Sequence, residues 1–186
     1  MKSIFKVIML FVMVLAMGCA STSTPEITAK QMKELETIVN SKSFEFNARW
    51  ARPLTTNSLN SIANAGLLPP GSTNNNIDMT GNSNYFKMSG DSIKAYFPYF
   101  GERQLGGAGY LGSDNAIQFE GIPENMKMDK NEKGYTLAFD IKNKTETYQV
   151  NAQFFPNKKG NININSSHRF PISYTGNFKK TEEQLN

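Results

Sequence analysis

A chain of 186 residues with a formal net charge of +4, one cysteine and one histidine has room for a single domain of ordinary size. The lone cysteine forbids an intrachain disulfide, and with a single histidine it gives a histidine/cysteine zinc cluster too few ligands. The 20 lysines and arginines are interspersed with 16 acids and form no stripe, which argues against a nucleic-acid surface; Lys158-Lys159 and Lys179-Lys180 read as solvated turn and tail residues.

In chain order, the first segment is an address. Lys2 and Lys6 precede an apolar run from Val7 to Met17, too short for a permanent membrane span but suited to a cleavable signal. Ala16 and Gly18 place small residues just ahead of Cys19, the pattern of a bacterial lipoprotein signal cleaved before a lipid-modified cysteine. The alternative is an ordinary small residue near an unlipidated secretory site. Cys19 stands at the edge of a flexible Ser21 to Thr24 stretch, where neither a buried nor a disulfide-bonded cysteine belongs. Each buried acyl methylene contributes about 0.8 kcal/mol, so two or three chains would make the anchor effectively permanent. Loss of residues 1–18 removes two lysines and no acid, leaving 18 basic against 16 acidic side chains, a formal net charge of +2. Alanine after the cysteine favours the outer membrane, with the protein facing the periplasm. The chain thus divides into a signal peptide (1–18), a lipidated tether (19–26), a folded domain (27–178) and a polar tail (179–186).

The first ordered element is a helix from about Thr28 to Asn40, with Thr28-x-x-Gln31 as capping box and Met32, Leu35, Ile38 and Val39 on one stripe. From Phe44 the period falls to two. Phe44, Phe46, Ala48 and Trp50 share one face against Glu45, Asn47 and Arg49, and the alternation returns at Tyr135–Ile141 and Tyr148–Phe154. Further strands fall at Ile77–Thr80, Tyr85–Ser89, Ser92–Tyr99, Ala116–Gly121, Asn125–Lys130, Gly160–Ser167 and Phe170–Phe178. The segment Pro53 to Asn76 interrupts them as a rim insertion, with one or two helical turns over Ser58–Ala65 closed by Gly66.

Hairpin-type turns such as Ser89-Gly90-Asp91, Asn131-Glu132-Lys133-Gly134 and Asn143-Lys144-Thr145 force antiparallel neighbours. Nearly every connection after Tyr85 is local. The fold expected is therefore mainly β: one antiparallel up-and-down, barrel-like (lipocalin-like) domain with an N-terminal helix. A β-sandwich is the alternative, and only Glu102–Asn115 is long enough for its crossover.

Several short pieces then resemble a known family: Phe44-Glu45-Phe46 with Ala48 and Ala51-Arg52-Pro53, Asn84-Tyr85-x-x-Met88 before Gly90-Asp91-Ser92, Pro98-Tyr99-Phe100-Gly101, and Ile172-Ser173-Tyr174-x-Gly176. With the lipoprotein signal, they are similar to the Bacteroidota lipoproteins grouped as domain of unknown function four-two-five-one, over most of residues 44–178. The insertion after Pro53 departs from the family pattern, in which a short glycine turn leads to the next strand. The resemblance implies an address and a domain extent, and no activity.

Chemical motifs are few. Gly107-Ala108-Gly109-Tyr110-Leu111-Gly112 has the spelling of a dinucleotide fingerprint, with Asp129 near the spacing of a ribose-binding acid. That motif aims a helix N-terminus at pyrophosphate, and here strands stand on both sides, so no nucleotide or other cofactor is expected. His168 lacks a nucleophile-elbow pattern and reads as a surface or turn histidine. Glu45, Glu102, Asp114 and Glu120 come from separate elements, and Glu45 and Glu120 lie on outward phases, where cross-strand pairing is their default role.

The remaining candidate is Tyr96-Phe97-Pro98-Tyr99-Phe100-Gly101, which places rings on both faces of a strand end. One set fills the core; the other, Tyr99 with Arg103 and Tyr110, is the candidate ligand-binding set at a barrel mouth, although small barrels are commonly just plugged. The sequence therefore leads to a membrane-anchored, non-enzymatic binding module for a small hydrophobic or envelope-derived ligand, with no metal. The alternative is a structural or interaction lipoprotein with a filled core and a partner surface at Pro53–Asn76.

Overall fold

The computed structural model describes residues 29–104 and 116–181. Cys19, Thr28, the Gly106–Gly112 run with Tyr110, and Asp114 lie outside the described residues. The first element, α1 (Ala29–Asn40), buries Leu35 and Val39, four residues apart on one stripe, with Met32 and Ile38 packed beside them. This is the expected face. The helix closes one end of the domain: Leu35 lies beside Gly134, and Glu36 pairs with Lys130 at 3.2 Å. Among the described residues no helix is long and apolar enough to cross a membrane.

Ten strands follow: β1 (Ser43–Pro53), β2 (Ile77–Asp78), β3 (Tyr85–Ser89), β4 (Ser92–Pro98), β5 (Ala116–Gly121), β6 (Glu124–Asn131), β7 (Gly134–Asn143), β8 (Glu146–Phe154), β9 (Lys159–Ser166) and β10 (Ile172–Lys180). Nine of them form one antiparallel sheet in the order β5-β4-β3-β1-β10-β9-β8-β7-β6, with β2 pairing β1 beside β3. Apart from β1–β10, neighbours along this path also follow one another in sequence, joined by short turns except between β1 and β3, where the insertion and β2 intervene, and between β4 and β5, where residues 99–115 intervene. The meander is as expected, and among the described residues no second sheet stacks on it as a sandwich requires. First and last strands pair from Phe44↔Lys180 to Pro53↔Ile172, so the sheet curls into a half-barrel whose free edges are β5 and β6. Those strands are consecutive in sequence but do not pair with each other. Instead β5 leans on β7: Asn143 Nδ2 donates to the Gln118 carbonyl at 2.7 Å, and the Phe119 ring meets Phe139 and Tyr148.

The interior of the curl is aromatic. Phe44, Phe46, Phe86, Phe97 and Phe154 are fully buried. Phe44 lies edge-on to Phe154 at 5.0 Å, Phe154 to Phe178 at 5.0 Å, and Phe97 stacks on Tyr174 at 4.4 Å. Such pairs contribute about 0.5–1.5 kcal/mol each beyond their buried area.

The strict alternation expected along β1 fails at one point. The β1–β10 register slips between Ala48, opposite Gly176, and Trp50, opposite Thr175. The extra residue, Arg49, is a bulge, and it inverts the phase of everything after it. Phe44, Phe46, Ala48 and Ala51 face the core, while Trp50 is half-buried on the outer face instead of sharing theirs. The bulge is held from the other side. Ala48 donates its N–H to Asn84 Oδ1 at 2.6 Å, Asn84 Nδ2 donates to the Ala48 carbonyl at 3.2 Å, and the Met79 N–H reaches the Arg49 carbonyl at 2.9 Å. The Asn84 amide thus takes the place of a ladder partner between β2 and β3.

The insertion carries the expected helical turns as α2 (Asn57–Asn64), capped by Thr56, whose hydroxyl accepts from the Leu59 N–H at 3.2 Å; Gly66 follows at φ +69°.

Candidate functional site

At the end of the half-barrel opposite α1, polar groups converge. Arg169 is 4% exposed, the buried charge of the domain among the described residues, and its Nε donates to Glu146 Oε1 at 2.8 Å. Glu146 also accepts from the Ser166 hydroxyl. The guanidinium lies 5.1 Å from the centre of the Tyr99 ring. The Tyr99 hydroxyl points to the carbonyls of Glu102 at 2.8 Å and Phe170 at 3.0 Å, and Tyr174 donates to the Pro98 carbonyl at 2.8 Å. Gly101 allows this fold-back, since a Cβ there would stand 2.4 Å from the Tyr99 hydroxyl oxygen.

Two of the three candidate ligand residues therefore meet at one end but face differently. Tyr99 is 8% exposed and turned inward as part of a seal. Arg103 is exposed on a short bridge to Arg169, flanked by the Gln104 N–H to His168 carbonyl bond at 2.8 Å and the Phe170 N–H to Glu102 carbonyl bond at 3.1 Å.

Burial pushes the Tyr99 phenol up to about 12. It also raises Tyr174, reinforced by Tyr99, and Tyr148, reinforced by the Glu146 charge. Groups raised in the folded state stabilise it fully below their unfolded value near 10, and that contribution is lost as pH climbs toward the folded values. In an alkaline titration followed by tyrosinate absorbance, at least these three of the seven tyrosines are expected to ionise only together with unfolding. A smooth titration of all seven near the ordinary value contradicts a sealed end.

The acids named from sequence do not converge. Glu45 pairs with Lys87 at 3.3 Å and Glu120 with Lys94 at 2.8 Å, each directly cross-strand. Hydrogen bonds from Thr56 and Ser58 at the start of α2 hold the Glu102 carboxyl below its usual range. His168 Nδ1 lies 2.7 Å from the hydroxyl of its neighbour Ser167. Among the described residues no group of three or more histidine, cysteine or acidic side chains is placed to hold a metal.

The feature that sequence reading missed is on the outer face. The bulge lets Trp50 line a groove of about 480 Å³ with Arg49, Lys159, Asn161, Thr175 and Asn177. The Arg49 guanidinium stands 5.6 Å from the Trp50 ring centre and pairs with Asp78 at 3.4 Å. Asn161 Oδ1 is buried in the groove wall with no protein hydrogen-bond partner among the described residues. Bulges are over-represented beside sites because they re-aim side chains. Period-two reading cannot see an insertion of one residue; the only trace is Gly176 on the facing strand.

A curled antiparallel sheet with an aromatic interior, one end closed by a helix and the other sealed by a buried ion pair, defines a small β domain that carries a groove on its outer face. The chain belongs to the DUF4251 family: the model of that domain of unknown function matches residues 26–178. A crystal structure of a DUF4251 family protein from Bacteroides eggerthii is similar to this fold, with a TM-score of 0.53 at 11% identity, covering 82% of this chain and 89% of that one. No curated protein matches the sequence.

Proposed function

We propose that the protein is a non-catalytic binding module of the bacterial cell envelope, anchored by a lipidated Cys19 at the periplasmic face of the outer membrane, and that it takes an envelope-derived ligand on the outer face of its sheet. The observation that carries this reading is the Arg49 bulge, which turns a large aromatic side chain out of the core and into a groove. An apolar ligand inside the curl has less support, because rings occupy the interior between β1, β4, β8 and β10. One observation favours a structural role as a second reading: Leu54, Ile62 and Leu67, at 49, 41 and 73% exposure, stand out on the Pro53–Asn76 insertion.

One experiment in the native host tests both parts. Cys19→Ala is expected to move the protein from the membrane to the soluble periplasmic fraction, and native mass spectrometry of that material to reveal a co-purifying small molecule. Continued membrane retention removes the anchor. Repeatedly empty protein favours the structural role.

A further inference from the structure

We infer that the outer face binds an acidic saccharide chain; this deepens the reading of the Trp50 groove as a binding site and rests on it. The groove does not end at Trp50. A second hollow of about 310 Å³ continues it toward the Pro53 end, and the two share Arg52. An extended ligand fits such a paired depression better than a compact one.

The lining follows from the sheet register. Asn161 of β9 stands opposite Thr175 of β10, which stands opposite Trp50 of β1; two residues along, Asn163 faces Ser173, which faces Arg52. Each row therefore runs from an amide through a hydroxyl to an aromatic or cationic side chain. Amides and hydroxyls both donate and accept, which suits a partner covered in hydroxyl groups. A tryptophan face offers an apolar platform for the C–H side of a sugar ring. Asn161 Oδ1, buried in the wall with no protein partner among the described residues, can accept from a ligand hydroxyl.

Charge fixes the acidic character. Neither hollow is lined by a carboxylate. Arg49 is already paired with Asp78, but the Arg52 Nε donates to the neutral Asn76 Oδ1 at 3.2 Å, which positions the guanidinium without cancelling its charge. Lys159 adds a second cation at the Trp50 end. A guanidinium held this way is suited to bidentate pairing with a carboxylate. A peptide strand would call for apolar sockets at alternate positions, and these rows offer amides and hydroxyls instead.

Trp50 is the only tryptophan of the chain, so its emission reads the groove directly in the full mature protein. Three probes of matched length separate the alternatives: an oligogalacturonate, a dextran oligosaccharide and a polyglutamate. The oligogalacturonate is expected to change Trp50 emission saturably, with an affinity that falls as salt rises and exceeds that for dextran at least tenfold, while polyglutamate gives no saturable change. By calorimetry, Arg52→Ala and Trp50→Ala should each weaken binding about tenfold, and Trp50→Phe should retain most of it. Both positions are on the outer face, so unchanged far-ultraviolet dichroism is expected and checks folding. Equal binding of dextran overturns the acidic assignment and leaves the binding groove standing; equal binding of polyglutamate overturns the saccharide. Silence toward all three probes overturns the inference, whereas the binding module itself fails if protein from the host is repeatedly empty or if material co-purified with it leaves Trp50 emission unmoved.

Discussion

Glu146→Ala is expected to destabilise the domain by about 3–5 kcal/mol, the usual consequence of removing one member of a buried ion pair. Arg169 and Glu146 have side chains only 4 and 12% exposed, so Arg169 cannot recover hydration by a small movement. The same guanidinium lies against the Tyr99 ring, and Tyr99 in turn holds the Glu102 and Phe170 carbonyls; loss of the carboxylate loosens the whole seal. Urea denaturation at neutral pH measures it, and a loss below about 1 kcal/mol would place the pair in solvent. Replacing both partners, Glu146→Leu with Arg169→Met, should restore most of the stability, because two apolar groups need no compensation.

The pair also sets an acid limb. Burial alone would raise the Glu146 carboxyl, but hydrogen bonds from Arg169 and Ser166, with the guanidinium charge, outweigh it and hold the group below the ordinary 4.5. A depressed carboxyl stabilises the fold above its unfolded value and loses that contribution as pH falls through the folded one. Stability should therefore decline below about pH 4.5 in the parent, and Glu146→Gln should flatten that decline while starting from a lower plateau.

Gly176→Ala is the second large effect expected. A Cβ at this position would lie 2.0 Å from the Asn47 carbonyl oxygen and 2.7 Å from Ala48 Cα. Both are backbone atoms of the adjacent strand, at the rung where the register slips, and they cannot swing aside. The strands must part or the bulge must move, at a cost of about 3 kcal/mol or more. Either response displaces Trp50, so a shift of its emission should accompany the lowered melting temperature. Thr175→Ala, one residue away on the outer face, should change stability by about 0.5 kcal/mol or less. Parity between the two variants would mean that the bulge is not held by the close approach at Gly176.

Particular residues show how far sequence reading reaches. Leu35 and Val39 announced a buried helical stripe, and Phe44, Phe46, Tyr135, Leu137, Val150 and Phe154 announced inward faces, because periods of 3.6 and 2 are properties of the local backbone. Glu45 and Glu120 were legible as cross-strand partners for the same reason. Trp50 was misplaced because a bulge inverts side-chain phase without altering composition, and it is stabilised by Asn84, distant in sequence. The Arg169–Glu146 pair was not legible either, since 23 positions separate its members and neither shows a pattern until β8 and β9 bring them together.

By itself, then, the order of residues determined the strands, the helix, the antiparallel meander and the turns that join them, all of which depend on neighbours a few positions apart. Only the tertiary structure decided that β1 pairs β10, that β5 and β6 are left as free edges, that one end is sealed by a buried charge pair, and that the tryptophan faces outward. Those outcomes depend on contacts between distant segments, where a one-residue slip or a single close glycine changes which side chain meets which.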